Sequence, residues 1–81
     1  MTMANRQYLS LERLQPGSHG IVCKLEGGRG FANRLAAMGL AVGARLEILE
    51  NRKHGPLLVL VRDTRIALGR SEALKILVEE V

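Results

Sequence analysis

The chain has 81 residues, 47% of them hydrophobic and 25% charged, and a formal net charge of +4. That length leaves no room for a second core or a deep two-lobed cleft, and that composition is unlike the low hydrophobicity of a disordered chain. Its one cysteine, Cys23, excludes an internal disulfide framework and a four-cysteine zinc site within one chain.

A reducing, cytoplasmic setting is therefore expected. The longest uncharged stretch, Leu35 to Ala44, is about half of the ~20 residues a membrane-spanning helix needs. Met1 to Arg6 carries no basic region followed by an apolar run, so no secretory signal is expected. One domain over 1–81 is expected, with 1–7 as a flexible N-terminal segment. Aromatic residues are confined to Tyr8 and Phe31, so the core must be built from aliphatic side chains.

In chain order, Ser10-Leu11-Glu12-Arg13-Leu14 offers a capping serine and two leucines three apart, enough for one helical turn. Pro16-Gly17 carries the type II turn signature. A first strand is predicted from His19 to Leu25, ended by Gly27-Gly28. From Gly30 the period changes: Phe31, Leu35 and Met38 fall on one helical face. Gly39 is placed as the left-handed residue that stops this helix, and Leu40 as the apolar residue that packs back on it. Leu46 and Ile48, with Leu49 out of phase, mark a second strand. Lys53-His54-Gly55-Pro56 is a turn cluster. The continuous run Leu57 to Val61 predicts a third strand buried on both sides. Asp63-Thr64 is a polar break, so a tight hairpin leads into Ile66-Ala67-Leu68. Ser71 to Leu74 fits one helical turn, and Ile76 and Val78 belong to a last strand. These elements indicate a mainly β domain: a small antiparallel SH3-like barrel of about five strands, with one short helix between the first two and helical turns elsewhere. Closure of the sheet would remove aggregation-prone edges.

The ordered set Leu11, Leu14, Pro16-Gly17, Gly20-Ile21, Gly27-Gly28, Arg34-Leu35, Met38-Gly39-Leu40, Gly43, Gly55-Pro56, Ile66-Ala67-Leu68-Gly69, Ala73, Ile76 and Val78 resembles the FeoA family. The demanding part is the string Arg-Leu-x-x-Met-Gly-Leu-x-x-Gly. Two positions depart from the family pattern: Val42 stands where proline is frequent, and Asp63-Thr64 where glycine is common. The resemblance implies a cytoplasmic SH3-like accessory protein of bacterial ferrous-iron uptake. It further implies that the chain engages FeoB, the membrane permease with a GTPase domain. The fold and some motifs are also similar to the C-terminal domain of DtxR-type repressors, whose DNA-binding helices this chain lacks.

His19, Cys23 and His54 are the soft ligands available to a metal. On one strand, His19 and Cys23 would stand ~13 Å apart, too far to share a metal with bonds of ~2–2.3 Å. No intrachain metal site is expected, and a site shared between subunits of a homo-oligomer stays open. Catalysis is not expected either, nor a cofactor: Ser10, Ser18 and Ser71 occur outside any nucleophile elbow. Gly27-Gly28-Arg29-Gly30 lacks the phosphate-loop pattern. The alternative function is an SH3-like nucleic-acid-binding or regulator-associated module, permitted by the charge. It is weakened by the scarcity of stacking aromatics, and no nucleic acid is expected as partner. The candidate partner surface is Arg34, Leu35, Met38, Gly39 and Leu40, joined by Arg62, Arg65 and Arg70. Those arginines are equally readable as a solvated face.

Overall fold

A computed structural model describes residues 8–81; the expected flexible segment, 1–7, lies outside the described residues. Strand β1 is Leu9–Ser10, followed by a 3-10 turn, Leu11–Arg13. Then come β2 (His19–Leu25), helix α1 (Gly28–Ala37), β3 (Arg45–Glu50), β4 (Leu57–Val61), β5 (Thr64–Leu68), helix α2 (Arg70–Leu74) and β6 (Ile76–Glu80). All strand pairs are antiparallel, and the order across the sheet is β1-β6-β2-β3-β4-β5.

The fold is mainly β and SH3-like, as expected, with two corrections. Among the described residues the sheet has six strands against the expected about five, because the two residues of β1 pair with Val78 and Leu77 of β6. It is also open: β1 and β5 are its edges, so hydrogen bonding does not close the barrel. A two-residue strand leaves no periodic trace in sequence. It exists because β6 supplies the partner.

One face of the sheet carries the core, in which Leu11, Leu14, Leu35, Leu40, Leu46, Ile48, Leu57 and Ile76 are at most 2% exposed. Each such side chain contributes roughly 1.5–3 kcal/mol by leaving water. Strand β4 is not buried equally on both sides: Leu57, Val59 and Val61 are buried, whereas Leu58 and Leu60 are half-buried on the other face. Leu49 falls out of phase because the β3–β4 register shifts between Ile48 and Glu50, a bulge that inserts one residue. The β4–β5 turn is Arg62-Asp63, with φ of 50° and 66°, while Thr64 already belongs to β5. Positive φ at both central residues is the two-residue turn whose twist suits a hairpin, which moves the break one residue from Asp63-Thr64.

Candidate functional site

The helix-to-strand junction after α1 forms as its residues dictate. Met38 caps the helix, Gly39 at φ +94° donates its N–H to the Ala36 carbonyl (2.9 Å), and Leu40 donates to the Leu35 carbonyl (2.8 Å). This paired arrangement satisfies the last helical carbonyls and brings Leu40 back against Leu35. Both leucines are fully buried. Beyond them, Gly43 at φ +93° donates to the Val22 carbonyl (2.7 Å), and Val22 donates in return to Ala44 (2.9 Å). The loop is thus stitched to β2 on one side and turned to solvent on the other.

The solvent side is apolar. Met38 is 37% exposed and Val42 63% exposed, with Ala37 and Ala41 exposed beside them in sequence. A Cβ on Gly39 would lie 3.5 Å from Cγ1 of Val61. The corner therefore abuts the end of β4, where Arg62 begins the hairpin turn.

The eight residues singled out in the sequence do not form one surface. Met38 and Gly39 stand at this corner, whereas Arg62 lines a hollow on the outer face of the sheet with His19, Arg45, Glu47 and Asp63. Leu35 and Leu40 are buried beneath it and present nothing to a partner, which corrects their place in the contact set. Arg34 is drawn toward α2: its Nη2 donates to Oε2 of Glu72 at 2.7 Å, and its guanidinium lies 5.7 Å from the centroid of the Phe31 ring. The Lys75 ammonium lies 5.6 Å from the same ring, so Phe31 is flanked by two cations on the electron-rich ring system they favour. Arg65 is on the outer face of the sheet, in one cross-strand row with Leu60, Glu47 and His19. Arg70 follows the far end of β5, whose length alone separates it from Arg62 by about 13 Å. Sequence reasoning missed Val42 as a surface residue. Its signal was a large apolar side chain in a turn, beside the glycine that lets the chain reverse.

His19, Cys23 and His54 are likewise apart. His19 lines a shallow hollow of about 330 Å³ on the outer sheet face with Arg45, Glu47 and Asp63. The Cys23 thiol sits where the β2–β6 register shifts, between Val22 and Lys24, and donates to the Ile21 carbonyl at 3.4 Å. His54 is exposed in the β3–β4 loop. Among the described residues, no three His, Cys, Asp or Glu side chains group as metal ligands. No helix among them is long and apolar enough to cross a membrane.

An open antiparallel sheet with a short helix between its first long strands, and an apolar corner at that helix's end, defines a small SH3-like domain. The model of the FeoA domain matches residues 9–80. The chain belongs to the FeoA domain family. A protein of Methanocaldococcus jannaschii that carries the name Fe(2+) transport protein A is 38% identical over 64 residues, which cover 79% of this chain and 77% of that protein. A crystal structure of the iron uptake regulatory protein FeoA superposes with a TM-score of 0.87 at 32% identity, covering 93% of this chain and all of that one. The solution structure of iron(II) transport protein A from Clostridium thermocellum matches with a TM-score of 0.82 at 30% identity, over 90% of this chain and 46% of that one. A manganese-dependent transcriptional repressor shares the fold, with a TM-score of 0.83 at 21% identity, over 99% of this chain and 45% of that one.

Proposed function

We propose that this protein is a non-catalytic, cytoplasmic accessory protein of ferrous-iron transport, and that it acts by docking the Met38–Val42 corner on the membrane GTPase-permease FeoB. Membership of the FeoA family supports the transport role. The single observation that carries the docking reading is the exposure of Met38 and Val42 on a corner pinned by the hydrogen bonds of Gly39 to Ala36, Leu40 to Leu35 and Gly43 to Val22.

An apolar patch that is already ordered loses little entropy when covered, so each buried side chain returns more of its transfer free energy as affinity. Leu35 and Leu40 act from below. They fix the helix end and so the direction in which Met38 and Val42 point.

The test is co-purification of the full chain with detergent-solubilised full-length FeoB. Its arms are the wild type, Met38→Glu and Val42→Glu, each first shown by circular dichroism to keep the fold. Either charged variant is expected to weaken binding by about tenfold or more, as for a central contact residue. Binding unchanged in both folded variants removes the corner as the contact. Absence of wild-type binding removes FeoB as the partner.

A further inference from the structure

A second hollow, of about 340 Å³, lies at the opposite end of the β4–β5 hairpin from the docking corner and is lined by Glu12, Asn51, Lys53 and Arg70. Its polar groups are unequally occupied. Asn51 is committed to the main chain, since its Nδ2 donates to the carbonyls of Glu12 (2.9 Å) and Leu14 (2.6 Å) and so closes the end of the 3-10 turn. Oε2 of Glu12 accepts from the Ser10 hydroxyl at 3.1 Å. Arg70 is different: its Nε and Nη2 are buried and have no hydrogen-bond partner.

A guanidinium carries donors and no acceptor, so only an acceptor brought to it relieves that deficit. An unpaired buried donor is unfavourable in proportion to its lost hydration, and more so on a charged group. The two unpaired groups are the pair that points the same way from the guanidinium plane, the edge that matches two oxygens of one carboxylate or phosphate. Lys53, in the β3–β4 loop, brings a second cation to the same hollow. Glu12, the carboxylate lining it, leaves Arg70 unpaired.

We propose that this hollow is a seat for an oxyanion, a carboxylate or phosphate group bound by the fork of Arg70 and the ammonium of Lys53. Because both donor atoms are covered, the guanidinium must turn about its terminal side-chain torsions to present its fork to the hollow. The ligand then supplies the acceptors that the chain does not. The seat shares no residue with the docking corner, so each stands or falls alone.

The test is NMR titration of the full chain with sodium phosphate and, separately, with N-acetylglutamate, ionic strength held constant with chloride. The resonances followed are the Arg70 side-chain Nε–H and the amides of Asn51 to Lys53. A saturable shift with at least one probe is expected, and the tighter probe tells phosphate from carboxylate. Arg70→Gln should weaken it about tenfold and Lys53→Gln about threefold, as loss of a forked and a point-charge contact respectively. Arg52→Gln, whose side chain is 81% exposed, should leave it unchanged. Linear shifts with both probes, or equal affinity in Arg70→Gln and Arg52→Gln, overturn the proposal. Should Arg70→Gln fail to fold, Lys53→Gln decides through the Arg70 resonance, and unchanged affinity there overturns it as well.

Discussion

At the scale of single residues, the corner after α1 separates two leucines that build it from two side chains that it displays. Leu40 is fully buried against Leu35, while Val42, two residues on, is 63% exposed. Truncating Leu40 removes buried atoms and leaves a cavity, whereas truncating Val42 removes atoms already in water. Urea denaturation should show Leu40→Ala destabilised by about 2–5 kcal/mol and Val42→Ala changed by no more than about 0.5 kcal/mol. The Leu40 result also explains why a charge at position 40 cannot report on partner contact, since it would disrupt the fold first. In the sequence both residues are simply apolar. Gly39 and Leu40 were legible because a helix cap is written in neighbouring residues: the glycine accepts the left-handed φ and the next apolar side chain folds back. The exposure of Val42 was not, because a lone apolar residue in a turn belongs to no period that would assign it a face.

At the scale of elements, the start of α1 is seated by Phe31, which packs against the core and over the N-cap residue Gly27. A Cβ on Gly27 would lie 2.5 Å from ring atoms of Phe31 and 2.8 Å from the Phe31 Cβ. The last contact is close to the main chain, so turning the ring does not clear it. Gly27→Ala should therefore push Phe31 off its seat and cost about 1–3 kcal/mol, the range for overpacking. Denaturation measures the loss, and a shift of the Phe31 ring resonances locates it; an unchanged midpoint would mean that α1 moves freely over β2. The Arg34–Glu72 ion pair contributes less than its 2.7 Å suggests, because the Arg34 side chain is 59% exposed and water screens the charges. Strands β2 to β6 and both helices were legible from period and punctuation. The β4–β5 turn was displaced by one residue, since Asp63-Thr64 and Arg62-Asp63 are equally polar. The choice between them follows from strand pairing, Val61 with Thr64.

At the scale of the whole molecule, the order of the sheet departs from the order of the chain at one strand. Strand β6 is the last in sequence yet lies between β1 and β2, and its Ile76 and Val78 are fully buried. The core cannot close until the end of the chain arrives, so most of the stabilising contacts are made between segments distant in sequence. Deletion of 76–81 should abolish the cooperative thermal transition by circular dichroism, because it exposes β1 and β2 together and opens the core. A cooperative transition retained by the truncated chain would show that β2 to β5 fold alone.

The residues by themselves determined the succession of elements, the positions of the turns apart from the one between β4 and β5, the aliphatic make-up of the core and the FeoA resemblance. All of these depend on neighbours in the chain, through helical or strand period, the φ that glycine permits and the φ that proline fixes. Only the tertiary structure decided that the sheet is open. It alone parted Arg34 and Arg70 from each other and from Arg62 and Arg65 of the outer sheet face, and it alone left two N–H groups of Arg70 without acceptors. Period records which face of its own element a side chain occupies. It carries no information about which element faces it, and the partners of a charged side chain are set by that second fact.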